Sequence, residues 1–208
     1  MINKILQNRE YSESLKKISI KVGIFFTIIM ILGIVVFMFD IGGLATQLMG
    51  FFDETIENLS GLFDEEGNIS TLALIFNNVR VSFLALFFGL IPFLFLPVFV
   101  LIINAALVGV LLGLVSGEGI LIGIFTFLLG ILPHGILELP AIFISISAGL
   151  ILCSTITKTI LRRNQKFTIS EAFINGLKTV VFICVPLMIL AGIIETQITP
   201  RLLLMMMW

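Results

Sequence analysis

Apolar residues along this chain gather in runs too long for the core of a water-soluble domain. The first run is Ile18 to Phe39. It follows a polar start, Met1 to Lys17, that carries Lys4, Arg9, Lys16 and Lys17. Lys21 sits just inside the run and can reach back to the same surface along its alkyl stem. Four more segments follow: Thr71–Ile91, Phe93–Val115, Gly119–Leu132 and Ile136–Thr157. Their junctions are marked by Pro92 and Pro97, by Ser116-Gly117-Glu118-Gly119, and by Pro133-His134-Gly135, where Pro133, Gly135 and Pro140 predict a broken helix. A last segment, Ala172–Ile194, begins after Thr168-Ile169-Ser170-Glu171, which has capping-box spacing, and Pro186 predicts a kink within it. A bilayer crossing takes about 20 apolar residues. Gly119–Leu132 is the exception: as a helix it extends about 21 Å, short of a hydrocarbon core of about 30 Å.

The stretch 40–70 is different. It holds Asp40, Asp53, Glu54, Glu57, Asp64, Glu65 and Glu66 and no Lys or Arg. Leu44, Leu48, Phe52, Ile56, Leu59 and Phe63 recur within it at steps of three and four, which predicts an amphipathic helix lying on the membrane or bundle with its acids in water.

Composition supports the lipid reading. Of 208 residues, 59% are hydrophobic and 12% charged, against about 45–50% and about 25% in soluble domains. Net charge is -1, and no basic run is long enough to follow a phosphate backbone, so no nucleic-acid partner is expected. Cys153 and Cys184 lie within apolar windows and read as small buried residues. The expected fold class is all-α: one integral membrane domain over 1–208, a polytopic helical bundle with membrane lipid as its solvent.

Loop charge sets the orientation. The basic tail 1–17 and the basic loop 158–168, with Lys158, Arg162, Arg163 and Lys166, should both be cytoplasmic, and the acidic loop 40–70 extracytoplasmic. An odd number of crossings must then separate Ser70 from Lys158. The expectation is about five crossings in the cell membrane, with Gly119–Leu132 re-entrant or shallow and the C-terminus outside. Six full crossings would place the basic loop outside.

Polar residues within spans are costly and mark partners or cavities. Here they are Asn77, Asn78, Arg80, Asn104, His134, Glu138 and Glu195. On the five-crossing topology all but Asn104 fall toward the outer leaflet, which predicts one polar cluster. His134 and Glu138 share a helix face at i, i+4. They read either as a hydrogen-bonded packing pair or as a proton-handling or metal-binding pair, for which Glu195 would be a further ligand. Arg80 reads as counter-charge to Glu138 or Glu195, or as an anion-binding group. Asn104 reads as an interhelical hydrogen bond. Gly109 and Gly113 allow close helix approach. No cofactor is called for, and the chain has no nucleotide-binding loop.

The segment Leu132-Pro133-His134-Gly135-Ile136-Leu137-Glu138-Leu139-Pro140-Ala141 resembles the signature of the stage II sporulation protein M family, also called DUF95. Asn77-Asn78, Gly89, Pro92, the Asn104 to Gly109 run and Ile194-Glu195-Thr196-Gln197-Ile198-Thr199-Pro200 fit the same pattern, which covers Leu72 to Pro200. The resemblance implies a multi-pass membrane protein. The family's namesake acts with two peptidoglycan-degrading partners as their membrane anchor. The His-Gly-x-x-Glu motif is more similar to the broad branch in non-sporulating bacteria and archaea, some of whose members sit in circular-bacteriocin gene clusters. The leading expectation is a non-enzymatic scaffold or assembly partner for membrane or extracytoplasmic proteins, perhaps-free of any cofactor and able to form a homo-oligomer. The alternatives are a transporter or channel with a polar intramembrane site, and an intramembrane metal-dependent peptidase or cyclase using His134 and Glu138.

Overall fold

The computed structural model describes residues 9–43 and 70–204, so the outer amphipathic helix read from Leu44 to Phe63 lies outside the described residues. Among the described residues there is no strand. Helix α1 is Arg9–Met38, α2 is Thr71–Phe87 with a tight turn at Phe88–Leu90, and α3 is Pro97–Glu118. Ile120–Phe125 forms α4, which continues through a π-helical turn, Thr126–Ile131, into α5, Leu132–Ile160. Ile169–Thr179 forms α6, which continues through a second π turn, Val180–Cys184, into α7, Val185–Gln197, and the short α8, Thr199–Leu204. Five of these helical stretches are long and apolar enough to cross a membrane: Arg9–Met38, Thr71–Leu90, Pro97–Glu118, Ile120–Ile160 and Ile169–Leu204.

Local sequence explains the helix ends. Ser70 caps α2 by accepting from the Ala73 N–H at 3.4 Å. The predicted capping box is formed: Thr168 Oγ1 accepts from the Glu171 N–H at 3.2 Å, and Glu171 Oε2 accepts from the Thr168 N–H at 2.9 Å. The 91–96 loop carries Phe93 and Phe95 at φ 67° and 46°. The Phe93 N–H donates to Thr157 Oγ1 at 3.0 Å, which ties this loop to the end of α5.

The Pro133 junction differs from its sequence reading. The segment 119–132, read as a separate re-entrant or shallow helix, is the first part of a 41-residue helical rod, Ile120–Ile160. Such a rod is about 62 Å long, roughly twice the hydrocarbon core. Pro133, Gly135 and Pro140 all lie inside it without breaking it. The π turn is the reason. The Leu132 N–H bonds to Phe127 O, five residues back, so the missing Pro133 N–H falls where the bonding register has already shifted. The same device precedes Pro186, where the Val185 N–H bonds to Val180 O. Pro140 lies deeper in the helix and is exposed.

Glycines let backbones touch along the whole bundle. α1 and α3 run parallel, with Gly33 against Gly109 and Gly113 against Ile34 and Phe37; a Cβ at Gly109 would stand 2.7 Å from Met30 O. The close approach read from Gly109 and Gly113 is therefore present. Gly89 of the turn after α2 lies against Gly149 of α5, and Gly192 of α7 lies against Ile75 of α2. The buried core between these seams includes Phe26, Leu86, Leu101, Ile146, Leu152 and Met188.

The bundle has two distinct ends. At one, Tyr11 packs edge-on against Phe167, ring centroids 5.5 Å apart, so the start of α1 and the basic loop 158–168 lie together. At the other, the Thr71 and Thr196 hydroxyls are 2.9 Å apart. Thr196 donates its proton to Gly192 O, so Thr71 is the donor to Thr196. The start of α1 and the end of α8 are thus at opposite ends, as an odd number of crossings requires.

Candidate functional site

At the Thr71–Thr196 end, α5 presents His134 and Glu138 on one face, one helical turn apart. His134 Nε2 and Glu138 Oε2 are 4.0 Å apart, and the two side chains are 12% and 19% exposed. Glu195 comes in from α7, and one ligand atom from each of His134, Glu138 and Glu195 lies within 4.8 Å of the others. The His134 Nδ1 faces Thr199 Oγ1 of α8 at 3.4 Å. Residues separated by more than fifty positions thus meet, which bears out the sequence expectation for these three groups.

Arg80 does not join them. It is exposed on α2 and makes no ion pair with any described residue. The reading of Arg80 as counter-charge to Glu138 or Glu195 is therefore corrected. The position of Arg80 on the helix decides this. The buried side of α2 carries Leu74, Asn78, Ser82 and Ala85, whereas Leu72, Phe76, Arg80 and Phe87 recur on an exposed side.

The asparagines also divide. Asn78 is buried, and its Nδ2 has no hydrogen-bond partner. Asn77 is half-buried on the neighbouring side of α2. Asn104 donates to Val100 O at 2.7 Å within its own helix, so the interhelical bond read for it is replaced by one to the preceding turn. Thr199 was not singled out from sequence. Its spacing of four from Glu195 was the available signal, since that spacing stacks two side chains on one helical face.

His134, Glu138 and Glu195 offer one nitrogen and carboxylate oxygens with no described Lys or Arg against them. Two carboxylates this close resist carrying two negative charges unless a proton or another cation lies between them. The arrangement can hold a cation, share a proton, or bind α5 to α7 and α8.

Fold and site together define a multi-pass helical membrane protein with a partly buried His-Glu-Glu cluster near one end. The sequence profile of the family described as Stage II sporulation protein M matches residues 22–200, and the chain belongs to this family. It is also similar to the uncharacterized protein MJ0793 of Methanocaldococcus jannaschii, 32% identical over 163 residues, covering 74% of this chain and 88% of that protein. No solved structure matches the chain.

Proposed function

We propose that this protein is a non-enzymatic scaffold of the cell membrane, with the basic end of the bundle in the cytoplasm and the C-terminus outside. It recruits another membrane protein through the Arg80 face of α2. One observation carries this reading: a cation in mid-span faces outward with no anion from its own chain. Arg80 is about 14–15 Å from either end of the Thr71–Leu90 span, too deep for its side chain to reach water on either side. A lipid-facing Arg at such a depth costs at least about 2.5 kcal/mol. Leu72 and Phe76, 79% and 69% exposed, frame it with apolar contact area. A transmembrane helix carrying Asp or Glu would satisfy both the charge and the apolar stripe. A second copy docking through this same face would set Arg80 against Arg80, so the partner is a different chain. The glycine seams support a rigid platform, because helices locked backbone to backbone are poorly suited to rocking. At the opposite end, Lys17, Lys158 and Lys166 around a cavity of about 230 Å³ suit anionic headgroups of the inner leaflet.

The test is a photo-crosslinker placed at Phe76 in cells. The expected result is one dominant adduct with another membrane protein, lost in Arg80→Leu and kept in Arg80→Lys. Adducts with lipid alone, or an adduct unchanged by Arg80→Leu, would overturn the reading. An adduct with a second copy of this chain would replace it with a homo-oligomer.

A second reading, an intramembrane metal-dependent hydrolase, is favoured by one specific observation. Glu195 supplies a third ligand-type group beside His134 and Glu138, and catalytic zinc centres use three protein ligands and one open position.

A further inference from the structure

We infer that His134, Glu138 and Glu195 bind one divalent transition-metal ion, of the zinc or manganese class, and that Thr199 orients the imidazole for it. Geometry comes first. Three ligand atoms all within 4.8 Å of one another leave a central point no more than about 2.8 Å from each. Metal–nitrogen and metal–oxygen bonds of about 2.0–2.2 Å then require each atom to move inward by well under 1 Å. The His134–Glu138 separation of 4.0 Å is too long for a hydrogen bond, but it leaves room for an ion between the two groups.

The orientation of the ring is a separate observation. Thr199 comes from α8, outside the ligand set, and its hydroxyl lies 3.4 Å from His134 Nδ1. When Nδ1–H donates to this hydroxyl, Nε2 turns its lone pair toward the two carboxylates. This is the outer-shell arrangement that metal-bound histidines use to fix tautomer and ring plane. Charge is the third argument. Among the described residues the carboxylates of Glu138 and Glu195 form no ion pair with Lys or Arg, and Arg80, the basic residue of the neighbouring α2, faces away. A divalent ion would balance both carboxylates at once. The mixed imidazole and carboxylate set favours zinc, iron or manganese over the softer cations that thiolates select. Cys153 and Cys184 lie on other stretches of the bundle and are not in the set. Three protein ligands would leave a coordination position for water.

The experiment uses the full chain purified in detergent, stripped with a chelator and titrated with Zn²⁺. The expected result is one Zn²⁺ per chain by elemental analysis. Affinity should fall at least tenfold in Glu195→Gln and further in His134→Ala, with helicity and elution volume unchanged. X-ray absorption at the zinc edge should show one imidazole and otherwise oxygen ligands. Wild-type protein binding no more Zn²⁺ than the His134→Ala/Glu138→Gln/Glu195→Gln variant would overturn the inference. So would a spectrum dominated by sulfur, and this readout on wild-type protein decides the matter even where a variant fails to fold. The inference deepens the description of the His-Glu-Glu site and does not depend on the scaffold reading. The Phe76 adduct can be lost while zinc still binds, and the reverse.

Discussion

Two regions of this bundle carry opposite charge and do not meet. Arg80 stands on the outside of α2 with apolar neighbours and no anion. Glu138 and Glu195 stand inside, between α5 and α7, with an imidazole and no Lys or Arg. A chain built only to be stable in lipid would be expected to pair these charges, since isolated charge in a membrane is expensive and pairing is the usual remedy. Keeping them apart means that each is balanced from outside the chain: a protein partner at Arg80, a cation at the cluster. The difference also fixes the kind of partner each side takes. The exposed stripe offers area and one point charge, which suits a helix. The enclosed cluster offers three converging donor groups, which suits an ion.

Both regions depend on the contact between α2 and α5, and the largest expected effect comes from forcing that contact apart. A Cβ at Gly149 would overlap Ala85 O of α2, with Pro97 of α3 3.0 Å away. Gly149→Leu should therefore destabilise the bundle by about 3 kcal/mol or more, since neither backbone can yield. Size-exclusion and thermal melting in detergent check this, with loss of the monodisperse peak expected. Gly117→Ala is the control: its Cβ would find Met38 O at 3.9 Å, ordinary contact, and its melting temperature should stay within about 2 °C of wild type.

A smaller effect sharpens the inner side of the comparison. Thr199→Val keeps shape and removes the hydroxyl facing His134 Nδ1. Zn²⁺ affinity should fall about 10- to 100-fold, the usual consequence of losing an outer-shell partner. The fold should lose only about 1 kcal/mol, one ordinary hydrogen bond. Calorimetric titration and a melting curve on the same preparation separate the two. Equal losses in both would reduce Thr199 to a packing residue.

Much of this was legible in the sequence, and the remainder was hidden for definite reasons. The apolar runs, the Thr168–Glu171 capping box and the Gly109/Gly113 approach follow from composition and spacing, which lipid and helix geometry constrain strongly. The meeting of His134, Glu138 and Glu195 followed from topology, because loop charge placed all three toward one leaflet. The side of α2 on which Arg80 sits could not be read. That helix is apolar all round, so periodicity did not mark a buried stripe, and Asn78 and Arg80 differ in exposure only through packing against α5 and α7. The smooth passage through Pro133 was hidden for another reason. A π turn absorbs the missing N–H without leaving any change in hydrophobic pattern.

The smallest expected effect tests the outer side of the comparison most directly. If Arg80 were the internal counter-charge of Glu138 or Glu195, removing it would leave a buried carboxylate unpaired and cost about 3–5 kcal/mol. If Arg80 faces outward without an anion, Arg80→Leu removes a costly group from the lipid face and leaves every internal contact intact. The purified variant should then melt within about 0.5 kcal/mol of wild type or above it, while losing the Phe76 adduct in cells. Stability held and assembly lost is the pattern of an interface residue. Stability lost together with zinc affinity would return Arg80 to the interior and join the two regions after all.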